Sequence, residues 1–505
     1  MKLRQNKLSP LKLDERFAQS LWLQESSSHG PLKPLFETIL ARLDAIRNRW
    51  FETQPNAEPT SISTIAGRIA ALPTDTLTKY TTQRSQSVLT QIFELASRHQ
   101  SNSDRVVFLG NAHSQSIVRC IVEACCDPYW NERTRAERGS KPRMYFAGES
   151  FDNDSHQALL ELFAPQRACN RFEDFDWGVV KLTPSRPDDS VDAFASILKN
   201  LRATRATHNR FESNQIASDE LPSNPVESAC TPPIDTSNID TRPDDDLWTD
   251  CSALCYDAPC YEAPCYEAPY YDYPCYDNPG NSDLPSYIRE LYSPFSIVGL
   301  LPAAILGVNI MELLAGASFI SKEFQLKPAS ENPILRWTAW NALVQTIGAP
   351  RQLHYWNNTL RGGMEWLMHL WSADRQNNLN TPEWRIVPPS NPLHSNLTSH
   401  HPMEWHCHLK VDQVRHDALD IPGADSSNAT SFPTALQRQY AHQLQSLGQP
   451  SPTAPEHQVN GLIIELPILD ELAIGQWMQW MMLSTLLQQE LLQQELLEQE
   501  LPQQG

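Results

Sequence analysis

Histidines and cysteines are the residues of this chain best equipped to bind or react, and they gather in two places. His400, His401, His406 and His408 lie close together. On a strand, side chains two positions apart share a face, so the order His406-Cys407-His408 sets two imidazoles side by side. Two imidazoles are half of what a structural zinc site takes. No third ligand stands at a recognisable spacing, so no metal and no other cofactor is expected. The second cluster holds five of the chain's 11 cysteines, between Cys251 and Cys275. It is a pentapeptide repeat: Cys255-Tyr256-Asp257-Ala258-Pro259, then Cys260-Tyr261-Glu262-Ala263-Pro264, then Cys265-Tyr266-Glu267-Ala268-Pro269. Its thiols and carboxylates invite a metal, but evenly spaced ligands in a floppy chain gain little preorganisation. The repeat reads instead as a neutral expansion in a surface loop. Cys125 and Cys126, adjacent on an expected helix, point to different faces. No pair has zinc-knuckle spacing, and a reducing cytoplasm is the expected compartment.

The elements that must carry these residues follow from periodicity. Leu35, Ile39, Leu40, Leu43 and Ile46 fall at helical spacing. Arg105 to Gly110 reads as a buried strand ending in a turn, followed by a helix from Ser116 to Ala124. Arg143 to Gly148 and Asp176 to Leu182 are two more strands, followed by helices from His156 to Phe163 and from Val191 to Leu201. Strands alternating with helices imply a parallel sheet wrapped by helices, with ligands beyond the carboxyl ends of the strands. Residues 203–284 break this rhythm; they are rich in Asp, Ser, Pro and Asn and read as disordered. A second α/β region runs from Pro333 to Trp480, with helices at Arg336 to Ile347, Trp356 to Ala373 and Ile474 to Leu487, and a strand at Gly461 to Leu466. Beyond it Leu-Leu-Gln-Gln-Glu repeats from Leu486 to Glu495. A five-residue period makes a poor single stripe, but the composition favours helix.

The chain has 505 residues, room for two or three domains, and a formal charge of −20. That charge argues against nucleic-acid binding. Met1 to Lys7 lead into no apolar run, so no secretory leader is expected. The longest apolar run, Phe295 to Ile320, is interrupted by Pro302, Asn309 and Glu312. It reads as buried core rather than a membrane span.

Two blocks resemble a known family. Val298-Gly299-Leu300-Leu301-Pro302-Ala303-Ala304-Ile305-Leu306-Gly307, running on to Leu313-Leu314-Ala315-Gly316-Ala317, is similar to the core block of glucose-6-phosphate isomerases. Glu123 to Tyr129, Arg135-Ala136-Glu137-Arg138-Gly139 and Pro142 to Phe146 resemble the first half of the bacterial branch. The resemblance implies two sugar-isomerase-type α/β domains, each a three-layer αβα sandwich on a parallel sheet, in a cytoplasmic homodimer whose ligand is a sugar phosphate. The expected organisation is an N-terminal extension (1–34), a first sugar-isomerase domain (35–202, completed by 285–325), a disordered insertion (203–284), a second domain (326–485) and a helical Leu/Gln/Glu tail (486–505).

The resemblance also implies where the chemistry sits. Aldose–ketose isomerisation needs a phosphate cradle, an acid–base pair to open the ring, a carboxylate to move a proton between carbons, and a cation to steady the enediolate. The family glycine turn G-x-G-G-S stands here as Gly110-Asn111-Ala112-His113-Ser114, leaving Gly110 and Ser114 as substrate-binding positions and placing a bulky imidazole where backbone meets ligand. The phosphate loop stands as Thr183-Pro184-Ser185-Arg186-Pro187-Asp188-Asp189-Ser190. Thr183 and Ser185 keep their hydroxyls, while the prolines remove N–H donors and the aspartates oppose a dianion. The arginine position is Leu291, with Arg289 two residues away, and the glutamate base is Ala373, beside Asp374. Leu393-His394-Ser395 keeps the family histidine, so His394 is the one catalytic residue assigned. The family's C-terminal lysine segment has no counterpart. The function expected by family is glucose-6-phosphate isomerase, with activity impaired or absent. The competing reading is a pseudoenzyme that binds a sugar phosphate or a protein partner.

Overall fold

A computed structural model gives the fold. It describes residues 10–19, 32–52, 62–163, 176–182, 190–200, 248–250, 291–375, 384–388, 403–415, 418–421, 431–444 and 458–500. The molecule is α/β, with parallel strands dominating two sheets.

The first sheet is wholly parallel. Strands β2 (Ser103–Leu109), β3 (Arg143–Ala147), β4 (Asp176–Lys181) and β5 (Trp248–Asp250) stand in the order β3-β2-β4-β5. Val106, Val107, Phe108 and Leu109 are fully buried, as a strand covered on both faces requires. The helices of this part of the chain are α1 (Leu32–Glu52), α2 (Ile62–Gln83), α3 (Val88–Asn102), α4 (Ala112–Cys125), α5 (Asn153–Phe163) and α6 (190–200). The strand β5 corrects the reading of 203–284 as wholly disordered. Residues 248–250 pair with β4, and Thr249 sits in the core beside His99, Oγ1 to Nε2 at 2.9 Å. The Cys-Tyr repeat lies outside the described residues.

The second sheet has the order β1-β9-β8-β6-β7, with β1 (Lys12–Asp14), β6 (Arg351–Tyr355), β7 (Trp384–Val387), β8 (Met403–Gln413) and β9 (Gln458–Ile468). All pairs are parallel except β1 with β9. The stretch expected as an N-terminal extension therefore supplies an edge strand to a sheet whose other strands begin some way past the middle of the chain. Arg336 holds it there by an ion pair with Glu15.

The framework block folds as α7 (Ile297–Ile305) and α8 (Ile310–Leu326), buried as expected. None of the described helices is long and apolar enough to cross a membrane. The remaining helices are α9 (Pro333–Thr346), α10 (Arg361–Arg375), α11 (Phe432–Leu444) and α12 (Glu471–Glu500). One continuous apolar core runs from α1 through α7, α8 and α9 to α12, and takes in the Leu353, Trp405, Cys407 and Leu409 face of the second sheet. Phe36, Trp340 and Trp405 form a chain of rings, with centroids 4.6 and 5.8 Å apart, that ties α1 and α9 to β8. Helices α8 and α12 touch backbone to backbone. A Cβ on Gly316 would strike the Leu472 carbonyl, and one on Gly475 the Leu313 carbonyl.

The tail is not a separate appendage. It continues α12 without a break, and Leu486, Leu487 and Leu491 are buried. Glu490 is drawn in with them. Its carboxylate accepts from Trp50 Nε1 at 2.6 Å, Ser63 Oγ at 2.8 Å and Arg49 Nη2 at 3.0 Å. A five-residue repeat works here because α12 is enclosed on several sides, so no single stripe is needed.

The block Arg135 to Arg143 is an ion knot. Arg135, Arg138 and Arg143 converge on Asp104, at the start of β2. Arg138, fully enclosed, also donates to the carbonyls of Arg133 and Lys141, closing the turn before β3. That role belongs to the scaffold and explains the residues of this block without any ligand.

Candidate functional site

The carboxyl end of the first sheet is built from the turn after β2. Gly110 is buried and donates to the Ala147 carbonyl at 3.0 Å. Asn111 caps α4, its Oδ1 accepting from Ser114 N at 3.0 Å. The Ser114 hydroxyl donates back to Asn111 at 3.1 Å and is buried. The amide of Gln115 bridges the carbonyls of Gly110 and Ala147 at 2.6 and 2.8 Å. Side chains thus knit the turn that glycines would leave open. Ser114 serves as part of the helix cap, and Gly110 as a strand-end anchor.

His113 projects from the first turn of α4 toward α10. Its ring meets His369 edge to face, centroids 5.2 Å apart. The two helices run antiparallel, so the opposite end of the contact joins Glu123 to the start of α10. The Glu123 carboxylate accepts the Gly362 N–H at 2.8 Å, an anion on a helix N-terminus. Gly362 has to be small, since a Cβ there would press on the Arg119 backbone at 2.8 Å. Burial raises the Glu123 pKa, against the lowering effect of that N–H and of Arg119. Burial lowers that of His369, and His113 lowers it further. His369 is thus a largely neutral imidazole beside a second one, the composition of an acid–base pair. Sequence reading passed over His369, which sits one turn before Ala373 on the same helix.

Across the strand ends, Lys181 closes β4 and is buried against Asp192 at 2.6 Å. Ser190, at the start of α6, donates to the Gly148 carbonyl at 2.7 Å. These hold the ends of the loop assigned to phosphate. Thr183, Ser185 and His394 themselves lie outside the described residues, as do the side chains of Ala373 and Asp374 and all of Arg289. Leu291, at the position of the family arginine, is fully buried, and its carbonyl accepts from Trp366 Nε1 at 3.1 Å. That position belongs to the apolar core. The structure therefore brings Gly110, Ser114 and His113 to one strand end, with His369 opposite.

A second constellation lies on the outer face of the second sheet. His406 and His408 share that face, as the alternation predicts. A third imidazole comes from β6, which corrects the expectation of an imidazole pair alone. His354 stands beside His408 in the parallel register. One nitrogen from each of the three imidazoles lies within 4.8 Å of the others. His354 Nε2 and His406 Nδ1 share a hydrogen bond at 2.9 Å. The His354 ring stacks on both others, with centroids 5.0 and 4.7 Å away. Tyr440 of α11 closes over His408, ring centroids 6.2 Å apart. Burial pushes the pKa of His354 well down and that of His408 down to about 3, with the neighbouring imidazoles adding to both. His408 finds no hydrogen-bond partner for either nitrogen among the described residues. The same holds for the Gln352 amide, two residues before His354, and for the Tyr440 hydroxyl.

No family model matches the sequence, and no curated protein matches it. Solved structures do. A hypothetical protein from Thermus thermophilus aligns over 95% of this chain and 94% of its own, at 16% identity and a TM-score of 0.58. A glucose-6-phosphate isomerase from Chlamydia trachomatis aligns over 91% of this chain and 80% of its own, at 12% identity and a TM-score of 0.53. The likeness is one of fold: this chain has an α/β architecture like that of the glucose-6-phosphate isomerase from Chlamydia trachomatis.

Proposed function

We propose that this chain is a descendant of the glucose-6-phosphate isomerases that binds a sugar phosphate, or a protein partner, at the carboxyl end of its first sheet, and that it turns over glucose 6-phosphate poorly or not at all. The observation that carries this reading is Leu291. The enediolate needs a cation at the position the resemblance assigns to it, and a leucine wholly inside the core occupies it. Losing one such stabiliser costs on the order of 10²–10³ in rate. Losing the general base at Ala373 costs a further 10²–10⁴ or so. The closed glycine turn and the prolines around Thr183 and Ser185 add to both. The fold supports retention of a sugar-phosphate scaffold, and the ion knot and the α7–α8 core account for what has been kept.

One observation favours residual chemistry. His113 and His369 provide an imidazole pair at the strand end, next to the site of the lost base. A coupled isomerase assay with fructose 6-phosphate separates the readings, with His394→Ala and His369→Ala as controls. The expected result is no turnover above either control, with fructose 6-phosphate still raising the melting temperature. Turnover abolished by His369→Ala would replace the binding reading with an isomerase running on a substituted base. A homodimer in the cytoplasm is part of the same proposal, and light scattering on the purified chain tests its mass.

A further inference from the structure

The geometry points to a buried three-histidine site for a late divalent transition metal, zinc first, formed by His354, His406 and His408 on the outer face of the second sheet. Two arguments converge on it. The first is ligand type and reach. Imidazole is the common ligand of zinc, copper and nickel, and three imidazole nitrogens already lie within 4.8 Å of one another. Zinc–nitrogen bonds of about 2.1 Å in a tetrahedral site require nitrogens roughly 3.4 Å apart. Ring rotations that open the His354–His406 pair from 2.9 Å and draw the third nitrogen in would bring the set to that size, exchanging the hydrogen bond between His354 and His406 for two metal bonds.

The second argument is satisfaction. A buried polar group without a partner costs about 1–3 kcal/mol, and native interiors tolerate few of them. Here the two nitrogens of His408, the amide of Gln352 and the hydroxyl of Tyr440 are all left without partners among the described residues, on one side of one sheet. Polar atoms collect in this way around a bound ion and its water.

The rigidity of the site follows from its scaffold. His354 and His408 are neighbours in the β6–β8 register, and His406 is one alternation away. All three therefore ride on paired strands, where ligands are held better than on loops. Three protein ligands leave a fourth position open, as in catalytic zinc sites. Tyr440 closes the layer above it.

The full-length chain is the material for the test, with its thiols alkylated first so that the cysteine repeat binds nothing. The protein is stripped with a chelator, loaded with zinc or cobalt(II), and desalted. One zinc ion per chain is expected to remain. Cobalt is expected to give tetrahedral visible bands without a thiolate charge-transfer band. His406→Gln, on the least buried of the three histidines, is expected to lose that ion while keeping the wild-type circular dichroism. X-ray absorption of the zinc-loaded wild type supplies a measurement that needs no variant, and imidazole scattering with three nitrogens is expected. Zinc retained equally by wild type and His406→Gln, an absorption spectrum without imidazole scattering, or no retained zinc in the alkylated wild type would each overturn the site and leave ordered water as the occupant.

Discussion

His113 and His369 meet edge to face across the antiparallel contact of α4 and α10, ring centroids 5.2 Å apart. His113 stands where the family resemblance implies a glycine of the turn. The pair makes the strand end bulkier.

That contact has a pH signature. The pKa of His369 is lowered by burial first and by His113 second, with Glu365 and Glu149 pulling the other way. The unfolded chain therefore binds the proton more readily. Stability is full above about pH 6.5 and falls as the pH drops from there toward the folded value. His369→Gln is expected to flatten this part of the curve, measured as melting temperature against pH from 7.5 downward. A curve unchanged by the substitution would show that His369 is not the group responsible.

Restoring the missing cation is expected to fail. Leu291→Arg places a guanidinium in the core beside Trp366 and α10, where the position is wholly enclosed. The expected cost is about 3 kcal/mol or more, read as a lower urea midpoint, with no isomerase activity gained. Turnover in this variant would show that the side chain can reach a ligand after all.

The ion knot is expected to be structural. Arg138→Met removes the enclosed guanidinium that joins Asp104 to the carbonyls of Arg133 and Lys141. Breaking a buried pair by removing one member costs about 3–5 kcal/mol. Arg135 and Arg143 still reach Asp104, so the lower end of that range is expected in denaturant titration. A loss under about 0.5 kcal/mol would place Arg138 with ordinary surface residues.

The buried carboxylate of α12 is open to a cycle of substitutions. Glu490→Gln keeps the shape but weakens three charge-assisted hydrogen bonds, each worth about 1.5–3 kcal/mol when lost outright. A destabilisation of about 1–3 kcal/mol is expected. In combination with Trp50→Phe, the effects are expected to be less than additive, because the two groups share one bond of 2.6 Å. Strict additivity would mean that this bond contributes nothing.

The parts of the fold that were legible share one property. Strands β2, β3 and β4 carry apolar runs between turns, α7 is apolar on all sides and α8 is apolar over most of its surface, so burial wrote itself into composition. Strand β6 was missed because it is five residues long and alternates core-facing Leu353 with outward Gln352 and His354, a pattern too short to stand out. Strand β1 was missed because three residues show no period at all. The candidate site divides in the same way. The turn after β2 is local and was read from neighbours in sequence. His369 was passed over because it faces His113 only through the crossing of two helices, and His354 because parallel pairing brings it to His408 from 54 positions earlier. No spacing rule spans such distances. The helical tail was expected from propensity, but its burial was not, since enclosure by α1, α2 and α8 is a tertiary matter.

The placement of α12 and β1 also bears on how the molecule is made. Lys12 pairs with Glu465, and the Leu11 N–H reaches Gln476 at 3.0 Å. The core between α1, α8 and α9 is completed by α12, which emerges from the ribosome well after all three. A nascent chain that has reached α9 but not α12 exposes that apolar surface with nothing to cover it. Such high contact order slows folding, and the exposed interval is when aggregation competes. The demand on chaperones is therefore set by the time between the emergence of β1 and that of α12.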